Sequence, residues 1–182
     1  GAVRTWAYWT LPQPPVDDHD PGARFVDEYD ALLSDSVRRQ LVADVPVGIL
    51  LSGGIDSSLV AAQAVRAAGR DVRPFTITFP RHAGYDEGPY ARLVADHLGT
   101  VHTELVAEPA TADLVPLLAR QYDEPMADSS MVPTYLVSRL IREHATVALG
   151  GDGGDELFGG YNHYSWIQQQ ERARRFMPRP LP

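Results

Sequence analysis

From Phe25 onward, apolar side chains recur every three to four residues: Phe25, Tyr29, Leu32, Leu33, Val37 and Leu41. That spacing lines one face of a helix. Acidic residues come early and Arg38 and Arg39 late, as the helix dipole favours, so a helix is predicted over 23–43. The pattern then changes type. Residues 47–51 form a short apolar run between Pro46 and a glycine pair, which reads as a buried parallel strand. Residues 57–68 are Ala-rich and apolar, a helix stopped by Gly69. Residues 73–79 are β-branched and aromatic, a second strand, and 87–98 are helical up to Gly99. A third strand is predicted over 101–106, with His102 and Glu104 on the face opposite Val101, Thr103 and Leu105. Helices over 110–121 and 134–143 lead to a fourth strand at 146–149, which runs into a glycine-rich loop. Strands alternating with helices of this length imply βαβ units and a parallel sheet, an α/β fold.

The two ends lack this order. Residues 1–22 hold aromatics, then prolines and an acidic cluster, with no period; they read as a lead-in and linker from something upstream. Trp6, Tyr8 and Leu11 are expected to pack as a short strand or strap, and Trp6, Tyr8 and Trp9 as core or a former interdomain surface. The main domain is expected over 23–165. Residues 166–182 read as a truncated extension, in which Arg172, Arg174 and Arg175 form a solvated helix face or, in a chain without Lys, candidates to neutralise phosphate.

Composition narrows the chemistry. The chain has 182 residues with 16 basic and 24 acidic side chains, a net charge of −8, and its 44% hydrophobic content is that of a folded domain. The longest apolar run, residues 45–51, contains Pro46 and Gly48 and falls far short of the roughly 18 residues of a membrane span. Without a signal-peptide core at the start, the expectation is a soluble, cytoplasmic protein with no membrane partner. There is no cysteine, which excludes disulfides, thiolate metal sites and Cys nucleophiles. There is no lysine either: every basic residue is Arg, which excludes Walker A and Schiff-base chemistry. The acidic balance argues against nucleic acid as a partner.

Two loops carry the candidate chemistry. Ser52-Gly53-Gly54-Ile55-Asp56-Ser57-Ser58 leaves the first strand and opens a helix. Its glycines allow close backbone approach, its hydroxyls offer donors, and the helix start adds a positive dipole end: a phosphate cradle. Asp56 within an anion site is a conflict that a bridging cation resolves. The alternative is a tight strand–helix turn capped by Ser and Asp. The second loop, Gly150-Gly151-Asp152-Gly153-Gly154-Asp155-Glu156, follows the fourth strand and is dense in carboxylates. If the two strands are neighbours, Asp56 and Asp155 can share one Mg²⁺. Neither loop fits a dinucleotide, serine-hydrolase, zincin or EF-hand spacing. His102, beside Glu104, reads as a structural strand histidine before a catalytic one. Tyr161, Asn162 and Tyr164 read as packing beneath or at the rim of the second loop.

The segments "VPVGILLSGGIDSSLVAA", "YDEPMADSSMVPTYLVSRL" and "VALGGDGGDELFGGYNHY", in that order, resemble the synthetase domain of glutamine-hydrolysing asparagine synthetases. These belong to the ATP pyrophosphatases, whose loop reads SGGxDS. The resemblance implies a three-layer, doubly wound parallel sheet of the adenine nucleotide alpha-hydrolase-like type. It implies that Ser52, Gly53, Gly54, Asp56, Ser57 and Ser58 hold the pyrophosphate of ATP, and that Asp56 and Asp155 bind Mg²⁺. Leu50, Ile77, Gly150 and Gly151 would lie along the nucleotide, Asp152 near the reacting carboxylate, and residues 123–130 around the acceptor. The implied reaction is adenylation of a carboxylate, in the family the side chain of L-aspartate, with release of pyrophosphate. Ammonia from glutamine then displaces AMP to give the amide.

The departures from the family matter. Without Cys the chain carries no such glutaminase, so that domain is expected in a longer parent. The family's phosphate-contacting lysines have no counterpart here. Gly150 stands where some members have Ser, Asp152 where some have Glu, and Asp128 where one subgroup has Arg. A β-lactam-forming or other amidotransferase with a different acceptor, a non-catalytic nucleotide-binding fragment, and homodimerisation all stay open.

Overall fold

Four strands, β1 (Val47–Leu50), β2 (Arg73–Thr78), β3 (Thr103–Val106) and β4 (Val147–Leu149), pair in parallel in the order β3-β2-β1-β4. The computed structural model describes residues 3–11, 22–79, 86–107, 113–124, 128 and 130–176. Helix α1 (Gly22–Gln40) precedes the sheet; α2 (Ile55–Ala68) links β1 to β2, and α3 (Gly88–Leu98) links β2 to β3. Helices α4 (Leu114–Gln121) and α5 (Met131–Ile141) lie between β3 and β4, and α6 (Gly154–Phe158) and α7 (Asn162–Phe176) follow.

Alternation along β1 explains the three layers. Ile49, fully buried, packs with Leu51, Val37, Ala61, Ala64, Ala91 and Ala95, which places α1, α2 and α3 on one face. Leu50 points the other way, into a second cluster with Phe75, Ala148, Leu105, Val137 and Ile141, where α5 covers the opposite face. A strand buried on both faces must be apolar throughout, as β1 is. Small alanines on α2 and α3 let those helices approach the sheet closely. The chain winds outward from β1 through β2 to β3, then returns to place β4 on the other side of β1. The switch point of this α/β sheet therefore falls between β1 and β4.

Several element ends differ from the sequence pattern. Helix α1 stops at Gln40 and not at 43, because Val42 is 82% exposed and has nothing to pack on. Helix α2 begins at Ile55, as soon as Gly54 has turned the chain, so Asp56 and Ser57 stand on its first turn. Strand β3 starts at Thr103, since Val101 lies 76% exposed beyond the last β2 partner. Of the helix predicted over 110–121, residues 110–112 lie outside the described residues. The expected strap is a correction: residues 3–11 form no strand, and Trp6, Tyr8 and Leu11 are 75%, 94% and 72% exposed. Trp9 is exposed as well, so the core reading fails; no described element offers these aromatics a face. One helix, α7, runs through the boundary placed between 165 and 166, with Arg172 and Arg174 exposed on it. No helix among the described residues is long and apolar enough to cross a membrane.

Candidate active site

The β1–β4 register sets the site. Val47, Gly48 and Ile49 pair with Val147, Ala148 and Leu149, so the two glycine-rich loops leave neighbouring strands side by side. Glycines of the second loop pack directly on the start of α2. A Cβ on Gly151 would stand 2.7 Å from the Ser57 amide nitrogen, and one on Gly154 would fall on the Asp56 carboxylate. Gly53, at φ 83°, closes the other side, where a Cβ would come within 2.6 Å of the Tyr90 and Ala91 backbone at the start of α3.

Inside the first loop the serines bond to one another. The Ser57 hydroxyl donates to the Gly54 carbonyl at 3.3 Å and accepts from the Ser52 amide at 3.2 Å. With that proton committed, the 2.8 Å Ser52–Ser57 contact is donated by Ser52, whose oxygen accepts the Gly54 amide at 3.2 Å. The hydroxyls thus shape the loop. The donors left over are backbone ones: no hydrogen bond engages the amides of Gly53, Ile55, Asp56 or Ser57 among the described residues. Three of these are the unpaired amides that open any helix, here turned toward the switch point.

A cavity of about 1010 Å³ opens there. Of the residues singled out from sequence, it is lined by Leu50, Ser52, Gly54, Asp56, Ser57, Ile77, Gly150, Gly151, Asp152 and Asp155. Gly53 and Ser58 do not line it; Gly53 rests against α3, and the Ser58 hydroxyl is buried with no hydrogen-bond partner among the described residues. Of residues 123–130, only 123, 124, 128 and 130 are described, and none of these lines the cavity. Asp128 accepts the Ser130 amide at 2.8 Å, which holds its carboxyl below the usual range.

Among the described residues, every charged side chain lining the cavity is a carboxylate: Asp56, Glu87, Asp152, Asp155 and Glu156. Asp56, Asp152 and Asp155 form no ion pair and no side-chain hydrogen bond among the described residues, unlike Asp30, Asp35 and Glu104, which all hold an Arg. Unpaired carboxylates beside free amides suit a cation and the anion it accompanies. No three His, Asp or Glu side chains converge on a metal position among the described residues. Mg²⁺ takes one or two carboxylates and completes its shell with water and phosphate oxygens.

Glu87, Phe79, Pro133, Val137 and Phe158 were not apparent as site residues in the sequence. Glu87 stands before α3, and burial pushes its carboxyl above the usual range. Tyr29 reaches the cavity from α1 and meets Phe158 edge-on at 5.2 Å. Tyr161, expected as packing, also lines it: its hydroxyl donates to Glu156 Oε1 at 2.7 Å, which lowers the Glu156 pKa and pushes the phenol up to about 12. His102 is structural in setting, its Nε2 2.7 Å from the Thr76 hydroxyl, and burial lowers its pKa.

The chain is similar to known proteins. The chain is 39% identical over 161 residues to a putative glutamine-hydrolysing asparagine synthetase 2 of Methanocaldococcus jannaschii, covering 87% of this chain and 30% of the relative. It is 37% identical to glutamine-hydrolysing asparagine synthetase 1 of Bacillus subtilis, over 78% of this chain and 22% of that one. The chain thus spans less than a third of the length of these relatives. The glutamine-dependent NAD⁺ synthetase of Acinetobacter baumannii, solved with ADP, superposes with a TM-score of 0.52 at 23% identity, over 80% of this chain and 29% of that chain. That likeness shows the fold, the adenine nucleotide alpha-hydrolase-like one. The Asparagine synthase family profile matches residues 28–181, and the chain belongs to that family.

Proposed function

We propose that this chain is the ATP-using part of an amide-forming ligase that adenylates a carboxylate and transfers ammonia to it. The observation that carries this reading is the junction of the two loops, where the free amides at the start of α2 adjoin the unpaired carboxylates Asp56 and Asp155. The amides of Ile55, Asp56 and Ser57 hold the pyrophosphate end of ATP, Ser52 and Ser57 keep the loop in shape, and the Gly53 amide joins them only if binding draws the loop off α3. Ser58 keeps the phosphate role that the family resemblance gives it only if binding turns its hydroxyl toward the cavity. Leu50, Ile77, Gly150 and Gly151 form the nucleotide wall. Asp56 and Asp155 hold Mg²⁺, which supplies charge neutralisation at the leaving pyrophosphate. Catalysis in such a site is positioning and electrostatics more than covalent work by the protein.

The acceptor is the side chain of L-aspartate, with Asp152 beside it at the mouth of the second loop. Ammonia derives from glutamine through a glutaminase domain elsewhere in the whole protein, as the relatives' names indicate for them. The acyl-adenylate exchanges AMP for ammonia and yields asparagine. The test is ATP–pyrophosphate exchange with Mg²⁺, with and without L-aspartate, on this chain and on its full-length parent. Aspartate-dependent exchange in the parent is the expected result. Exchange only with another acid keeps the adenylation and replaces the acceptor. Absence of exchange with every acid overturns the reading.

A further inference from the structure

The backbone ladder between β1 and β2 ends at Leu51. Its amide still donates to the Phe75 carbonyl at 2.9 Å, but among the described residues no strand amide reaches its own carbonyl. That carbonyl accepts the hydroxyl of Thr76 instead, at 2.5 Å. Leu51 is the residue before Ser52, so this bond fixes the peptide from which the first loop departs. A carbonyl cannot donate, so Thr76 gives its single proton to Leu51. The Thr76 oxygen must then accept in its 2.7 Å contact with His102 Nε2, and the imidazole carries its proton on Nε2. Thr76, which also lines the cavity, is 2% exposed and the His102 side chain 10%, so both partners are largely withdrawn from solvent. On the outer side His102 faces Glu104, 4.0 Å from Nδ1, and Glu104 is held by Arg92 of α3.

We propose that His102 is a positioning residue for the first loop: through Thr76 it fixes the Leu51 carbonyl, and with it the free amides that receive the nucleotide. The inference rests on the reading of the cavity as a nucleotide site and deepens it. A histidine on the edge strand, two strands from the β1 that the loop leaves, thereby governs affinity without touching the ligand. An apolar residue at 102 leaves the Thr76 oxygen buried with one partner fewer, and that cost falls on the loop.

Mg²⁺-ATP affinity and amide exchange of Ser52 to Gly54 are to be measured in the full chain for His102→Leu, His102→Gln, Thr76→Val and the Leu/Val double variant. A Gln amide nitrogen can occupy the place of Nε2 and donate as it does. His102→Leu is expected to weaken binding about tenfold and to speed loop exchange, while His102→Gln stays within about threefold of the parent. The double variant should be no worse than Thr76→Val alone, because the two act in one chain. Equal affinity in the Leu and Gln variants, or additive losses, overturns the proposal. If His102→Leu does not fold, Thr76→Val, close to isosteric, decides by itself: unchanged loop exchange overturns the relay and faster exchange supports it. If the unaltered chain binds no Mg²⁺-ATP, the nucleotide reading fails, and loop exchange still decides the relay.

Discussion

Gly151 lies against Asp56 so closely that a methyl group on it would stand 2.8 Å from the Asp56 Cβ and 2.9 Å from its carbonyl carbon. The atoms it would meet belong to the first turn of α2 and cannot swing aside. Gly151→Ala therefore has to push the loops apart, at a cost of about 1–3 kcal/mol in stability and more than tenfold in Mg²⁺-ATP affinity. Gly153→Ala is the contrast. Its φ of 92° strains any side chain by about 1–2 kcal/mol, yet a Cβ there meets nothing within 4 Å. It should lower the melting temperature with little change in affinity. Equal affinity losses in both would mean that backbone freedom, and not loop contact, governs binding.

Asp56 carries the cation in this scheme. Asp56→Asn keeps the shape and removes the charge, and Asp56 makes no bond on which the fold depends among the described residues. Mg²⁺-dependent ATP binding should be lost with the unfolding transition unchanged. Titration of nucleotide with and without Mg²⁺ is the check, and retained Mg²⁺ dependence would remove Asp56 from the metal site.

How far the sequence reached depends on range. The strands at 47–51 and 73–79 were legible because apolar runs bounded by Pro and Gly admit few other structures. Gly53 and Gly54 marked the turn before α2. The engagement of Ser52 with Ser57 was not legible, since residue type shows that a hydroxyl can donate but not to whom. Glu87 gives no local signal either; it reaches the cavity only because β2 pairs with β1 and carries α3 to the loop. Trp6 and Tyr8 misled for the converse reason: large aromatics imply packing, but composition names no partner, and here they stand exposed.

Glu87 yields a pH prediction. Burial raises its folded-state pKa above the unfolded value of 4.5. Between the two values the folded protein holds more protons than the unfolded chain, so this group's contribution to stability is present below 4.5 and lost as pH rises through the folded value. Glu87→Gln removes that loss. The variant should match the parent near pH 4 and exceed it at pH 7, by less than about 1 kcal/mol because solvent screens a half-exposed group. Urea unfolding of both proteins at the two pH values measures the difference. An equal offset at both would place the effect in packing and not in charge.

Gly48, in the middle of β1, is where the sheet admits the ring of Phe75. A Cβ at Gly48 would lie 2.8 Å from Phe75 Cε2 and 3.3 Å from the Ala145 Cβ, so the ring would be pressed between two strands and the turn after α5. Glycine within a strand is otherwise unfavourable, and here close approach explains it. Gly48→Ala is expected to cost about 1–3 kcal/mol through overpacking. Phe75→Leu alone should also destabilise, by opening a gap beside Ile141 and Ala145. Combined, the smaller side chain makes room for the new methyl, so the double variant should lose at least 1 kcal/mol less than the sum of the single losses, roughly the coupling expected of residues in contact. Chemical denaturation of the four proteins closes the cycle. Simple additivity would mean that the ring moves aside freely and that Gly48 is held for some reason other than Phe75.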